Sequence, residues 1–149
     1  AVDFRRNVCG CEDAIIKYCR DLAFDSVKHL QENYWKNSEV LGSGEDLVTS
    51  MINLEVPYTE WVDASFETVA KWIPQILHEI CKDQRIFPQI FAHNGKIYTR
   101  LSCQVYNEVD DYVKGAKALE KGFKKFFANL SHFESLPLLG SGFLVVESK

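Results

Sequence analysis

This sequence contains little proline and glycine and no long apolar run. Of its 149 residues only 4 are Pro and 8 are Gly, and 46% are hydrophobic, which excludes an intrinsically disordered or collagen-like chain. No apolar stretch approaches the roughly 20 residues that a membrane-spanning helix needs. Lys and Arg number 17 against 21 Asp and Glu, so the chain lacks the positive charge that nucleic acid or an anionic lipid surface attracts. We therefore expect one globular domain that binds neither nucleic acid nor a membrane.

Cysteine is present but does not have the pattern of a disulfide framework. There are five cysteines, an odd number, and their spacing matches no such framework. The first residues, which start at Ala1 and not at Met, lack the layout of a secretory signal peptide. We expect a reducing, cytoplasmic environment and a chain that begins in the middle of a longer protein.

Apolar residues recur at three- and four-residue steps in three segments, as they do in amphipathic helices. The predicted helices cover 12–35, a segment that starts from a cap at Asp63 or Ser65 and runs to about 82, and a segment from a cap at Asn107 to about 130. Their order with the strands describes one α+β domain over residues 1–130. The tail, 131–149, is either a short edge strand or a disordered end.

Three further segments alternate between apolar and polar residues and predict strands at 47–56, 86–92 and 96–106. Asn94 and Gly95 separate the last two, and Asn-Gly is the strongest sequence signal for a two-residue hairpin turn. We expect a three-stranded, mostly antiparallel sheet with the helices packed on one face.

The third strand carries the most informative polar residues. Its odd positions from Ile97 to Val105 are mostly apolar, whereas its even positions are Tyr98, Arg100, Ser102, Gln104 and Tyr106. A single Arg among hydroxyls and an amide suits a bidentate grip on a carboxylate or phosphate, because the guanidinium presents parallel donors. The alternative is a solvated sheet face on which Arg100 is incidental.

The run 100–112, RLSCQVYNEVDDY, resembles the Arg-hydrophobic-Ser-x-Gln-x-Tyr-Asn-x-x-x-Asp-Tyr signature in the C-terminal small domain of class V aminotransferases. The similarity is to the isopenicillin N epimerase-like branch of these fold-type-I, pyridoxal-phosphate-dependent enzymes, which includes the hercynylcysteine sulfoxide lyases. Phe4-Arg5 followed by 10–15, GCEDAI, resembles that branch's entry into the small domain, and 49–54, TSMINL, resembles its first strand.

The resemblance implies that Arg100 binds the α-carboxylate of an amino-acid substrate. It also implies pyridoxal 5'-phosphate in the complete enzyme, which this family binds through a Schiff-base Lys, an Asp and phosphate-binding groups of a large domain. None of these groups can be placed in this sequence, so we assign no catalytic and no cofactor-binding residue. The chain alone is expected to bind no cofactor and to be inactive, and the complete enzyme is expected to be a homodimer.

Several alternatives remain open at this stage. The reaction of the complete enzyme is of the C-S lyase, epimerase or aminotransferase type. Persulfide chemistry at Cys81 is disfavoured, because no flexible loop separates its helix from the next strand. Cys9 and Cys11 provide too few ligands for a metal site. A different class of function also fits, namely a stand-alone, noncatalytic module that binds a small carboxylate ligand or a protein partner.

Overall fold

The computed structural model of the protein describes residues 2–42 and 48–131, and these form the α+β fold that the sequence predicts. In chain order the elements are α1 (Val2–Asn7), α2 (Cys11–Asn33), β1 (Met51–Glu55), a 3-10 helix (Tyr58–Glu60), α3 (Phe66–Gln84), β2 (Gln89–His93), β3 (Lys96–Ser102) and α4 (Val109–Ala128). The short helix α1 is not among the predicted elements. The tail from 132 onward lies outside the described residues. No helix in the described part is long and apolar enough to cross a membrane.

Helix α3 begins where the sequence places one of its two possible caps. The Ser65 hydroxyl oxygen accepts a hydrogen bond from the backbone N–H of Thr68 at 3.2 Å, so Ser65 and not Asp63 is the cap. The helix continues through Pro74 and ends at Arg85, whose backbone is left-handed with φ at 56°.

Helix α4 begins after Glu108, and the prediction of Asn107 as its cap is wrong. The Asp111 carboxylate accepts the backbone N–H of Glu108 at 3.0 Å, which satisfies a donor at the helix start. Asn107 instead closes the preceding turn, because its side-chain oxygen accepts the N–H of Gln104 at 3.1 Å. Residues 103–106 therefore belong to a turn, and β3 is shorter than predicted.

The three strands form one antiparallel sheet in the order β1-β3-β2. Asn94 and Gly95 make the predicted two-residue turn between β2 and β3, both with positive φ, at 46° and 76°. Strand β3 is central. Its Arg100 lies opposite Asn53 of β1 on one side and opposite Gln89 of β2 on the other.

One face of the sheet is covered by helices, as expected. The residues of this face that are buried in the core are Ile52, Leu54, Ile90, Ile97 and Leu101. Helices α3 and α4 contribute the large side chains that pack above them, which include Trp72, Ile76, Ile80, Leu119, Phe123 and Phe126. The periodicity that predicted the elements thus also identifies the core, because the same apolar residues lie on the inner faces.

Two glycines of α4 offer a matched test of this packing. A Cβ at Gly122 would lie 2.7 Å from Cδ1 of the fully buried Ile80, whereas a Cβ at Gly115 would meet no atom within 4 Å. We expect Gly122→Ala to lower the free energy of unfolding by about 1–3 kcal/mol through overpacking. Gly115→Ala should raise it by up to about 1 kcal/mol through helix propensity. Chemical denaturation of both variants measures the difference, and equal effects would contradict the close packing of α3 on α4.

Candidate functional site

The face of the sheet opposite the helices, here called the open face, carries the residues that the sequence singles out. Strand alternation places Arg100 and Ser102 of β3 on this face, with Asn53 of β1 and with Gln89 and Phe91 of β2 beside them. Arg100 and Ser102 are both exposed. The open face thus brings a cation, a hydroxyl and two amides together across three strands.

Arg100 is held on two sides by its neighbours on the flanking strands. Its Nε donates a hydrogen bond to the side-chain oxygen of Asn53 at 3.2 Å. Its guanidinium carbon lies 5.8 Å from the centre of the Phe91 ring, which is within cation-π distance. Within the described residues no carboxylate pairs with it. Because Nε is engaged and the group is planar, the two Nη groups form a fork of hydrogen-bond donors with a restricted orientation.

Only part of the polar face that the sequence predicts surrounds Arg100. Tyr98 is on the same face but is only 6% exposed, because it packs against the rings of Phe91 and His93. Gln104 and Tyr106 lie beyond the end of β3 in the turn before α4. The contacts from Asn53 and Phe91 could not be read from the sequence, since they depend on the strand order and register.

Lys96, a second cation on the open face, is paired with two carboxylates. Its Nζ lies 2.8 Å from a carboxylate oxygen of Glu39 and 2.9 Å from one of Glu55. The hydrogen bond from Lys96 lowers the pKa of the Glu39 carboxyl, and the same contact raises the pKa of Lys96. Lys96 therefore links the β-hairpin to β1 and to the segment beside it. Arg100 differs from it in having no such carboxylate partner in the described part of the chain.

A cavity of about 270 Å³ adjoins the end of β3 that has no partner residues in β2. Strand β2 starts only at Gln89, after Pro88, so Leu101 and Ser102 have no partner on that side. Tyr112 of α4 covers part of this edge, and its hydroxyl donates to the carbonyl oxygen of Ser102 at 3.0 Å. Burial raises the pKa of that hydroxyl. Arg100 and Ser102 both line the cavity, which therefore borders the open face.

Three of the five cysteines lie in surroundings that disfavour the thiolate. Burial raises the pKa of the Cys81 thiol, and it does the same for Cys19 and Cys103. A nucleophilic thiol needs a lowered pKa, so these environments oppose persulfide chemistry. Residues 2–42 and 48–131 contain no group of three or more His, Cys, Asp or Glu that could hold a metal ion.

Comparison with known proteins gives a likeness at the level of fold. No protein-family model matches the chain, and no curated protein matches it. Among solved structures, the chain resembles Oryza sativa TDC, whose crystal structure was determined with PLP and tryptamine. The TM-score is 0.53 at 10% sequence identity, over 74% of this chain and 23% of that one. The chain therefore spans about a quarter of the length of that protein and shares the fold of that part.

The ion pair between Lys96 and Glu39 should be visible in the pH titration of the Glu39 carboxyl. Because the pKa of Glu39 is lowered in the folded state, the pair's contribution to stability is present at neutral pH and is lost as the pH falls through that pKa. Lys96→Gln should raise the pKa of Glu39 toward its ordinary value, as measured by NMR of its carboxyl carbon. Lys71→Gln, on α3 beside Trp72, is the control for a change of net charge. An unchanged Glu39 titration in Lys96→Gln would show that the pair does not form in solution.

Proposed function

We propose that this chain is the small domain of a PLP-dependent enzyme and that Arg100 binds the α-carboxylate of its amino-acid substrate. The proposal rests on the contacts of Arg100. Asn53 and Phe91 hold its guanidinium, while its two Nη groups have no carboxylate partner in the described residues. A planar, charged fork of this kind forms two parallel hydrogen bonds to a carboxylate. The fold shared with part of a protein crystallised with PLP supports the same context.

We assign no complete cofactor site to the residues that the structure describes. The family's chemistry needs a Lys that forms a Schiff base, an Asp for the pyridine nitrogen and donors for the phosphate. Within the described residues the lysine on the open face is Lys96, which is held between Glu39 and Glu55. Several lysines on helices pair with neighbouring carboxylates in the same way, namely Lys17, Lys114, Lys124 and Lys125. In this proposal the cofactor belongs to a large domain, on which the open face would dock.

The role of Arg100 is to bind and orient the substrate. Holding the carboxylate at one point fixes the rest of the amino acid relative to the reacting groups, which lowers the entropic part of the barrier. Asn53 restricts the rotation of the guanidinium, so less side-chain entropy is lost when the ligand binds. From the resemblance of the run 100–112 we propose that the enzyme is similar to the class V aminotransferases, with a lyase, epimerase or aminotransferase reaction. We place the enzyme in the cytoplasm and expect it to be a homodimer.

In the complete enzyme, Arg100→Gln should weaken binding of the amino-acid substrate by about 1.5–3 kcal/mol, the range for a hydrogen bond to a charged group, and leave cofactor binding intact. Steady-state kinetics measure the first effect, and the absorption of the bound cofactor measures the second. Arg100→Lys keeps the charge but loses the fork, so its loss should be intermediate. Lys117→Gln on α4 is the matched control for net charge. Unchanged substrate kinetics in Arg100→Gln would refute the assignment.

A second experiment separates the enzyme domain from a stand-alone binding module. We expect the chain alone, incubated with PLP and then with borohydride, to acquire no covalently labelled Lys at a defined position. Mass spectrometry of the digested chain tests this. A single, stoichiometrically labelled Lys would contradict the claim that the cofactor site lies elsewhere. The reading frame upstream of Ala1 provides the complementary observation, because a large α/β domain needs roughly 250–300 residues. Finding no such domain would favour the noncatalytic module.

A further inference from the structure

Three polar side chains lie in a row across the open face, one from each strand. Asn53 of β1 and Gln89 of β2 are the direct cross-strand partners of Arg100 in the central strand. Side chains that are directly opposite each other in an antiparallel pair have Cβ atoms about 4.5–5.5 Å apart. The guanidinium therefore has one amide side chain beside it on each of the two flanking strands.

The two amides differ in what they already bind. The side-chain oxygen of Asn53 accepts the hydrogen bond from Nε of Arg100 at 3.2 Å. Gln89 is exposed, and among the described residues its side-chain oxygen and nitrogen have no hydrogen-bond partner. Asn53 thus orients the guanidinium, whereas the Gln89 amide keeps its two N–H donors available on the other side.

The backbone of Gln89 is held in place although its side chain is exposed. The hydroxyl of Thr99, a residue that is only 4% exposed on the helix-covered face, donates to the carbonyl oxygen of Gln89 at 3.1 Å. Pro88, whose ring fixes its own φ, directly precedes Gln89. Because the backbone is anchored from the buried face, strand alternation directs the Gln89 side chain to the open face, on the β2 side of Arg100.

Position 89 carries an amide and not a carboxylate, and this decides what Arg100 can bind. Opposite charges attract at directly opposed positions of a sheet, so a carboxylate at position 89 would pair with the guanidinium and neutralise it. The amide leaves the positive charge free and adds uncharged N–H donors. A bound carboxylate has about four acceptor sites, and a guanidinium fork occupies only two of them. Gln89 lies where it can donate to a third.

We infer that Gln89 is a second binding residue for the carboxylate that Arg100 holds, and that its side-chain N–H donates to the carboxylate oxygen on the β2 side. The inference rests on the proposed function, because it needs Arg100 to bind that carboxylate. Donors from two strands restrict the rotation of the carboxylate, which fixes the direction of the rest of the amino acid. Gln89 thereby contributes to the orientation of the substrate as well as to its affinity.

Acetate is the probe for the chain as it is, since it is little more than a carboxylate, and acetamide is its uncharged counterpart. We expect acetate to shift the NMR signals of the Arg100 Nε–H and of the Gln89 side-chain amide with one saturation curve, and acetamide to shift neither. Gln89→Leu should weaken acetate binding about 3- to 10-fold, the effect of losing one hydrogen bond. Gln89→Glu should abolish it, because the introduced carboxylate pairs with Arg100.

Gln104 provides the matched control, because it is exposed in the turn after β3 and does not lie opposite Arg100. Gln104→Leu and Gln104→Glu should leave acetate binding nearly unchanged. Binding that depends on Arg100 but is undiminished in Gln89→Leu or in Gln89→Glu would overturn this inference and leave the proposed function standing. Binding that Arg100→Gln does not weaken, or no saturable binding to the unmodified chain, would overturn the carboxylate role of Arg100 and with it both proposals.

Discussion

Strand β3 is the central strand of the sheet, paired with β1 over residues 98–102 and with β2 over residues 96–100, and the rest of the structure depends on this central position. Once both edges are hydrogen-bonded, strand alternation decides which side chains meet the helices. Ile97 and Leu101 then enter the core, and Arg100 must lie on the other face. A slip of one residue would bury the guanidinium and expose the core residues, which is costly enough to exclude that register.

The same register determines which cations are satisfied. Lys96 sits at the hairpin end of the sheet, where Glu55 and Glu39 reach it. Arg100 lies in the middle of β3, and its cross-strand neighbours Asn53 and Gln89 are amides and not carboxylates. An amide can orient a guanidinium without neutralising it. The sheet therefore presents a positioned positive charge, and this is the basis of the function that we propose.

The edge of the sheet supplies the second element of the candidate site. Pro88 has no backbone N–H, and β2 begins only at the next residue, so β3 extends beyond its partner. The exposed carbonyl group of Ser102 needs a hydrogen-bond donor, which Tyr112 of α4 provides. Between this edge and α4 a cavity remains, and Arg100 lines it. The cavity thus arises from the unequal lengths of two neighbouring strands.

The sequence by itself determined the α+β class, the three long helices and the hairpin at Asn94-Gly95, and it singled out Arg100 as the candidate binding residue, whereas the choice of Ser65 over Asp63 as the cap of α3 needed the structure. The class, the helices and the hairpin follow from local periodicity and turn chemistry, which act over a few residues. The sequence misplaced the start of α4 and the end of β3, because Asn107 can cap a helix or close a turn and only the surrounding contacts select between them. Tertiary structure alone decided that Asn53 and Phe91 hold Arg100, that Tyr98 is buried and that a cavity opens beside Gly115. Those contacts join residues that are distant in the chain, and their geometry is set by strand order and helix packing, which no local pattern encodes.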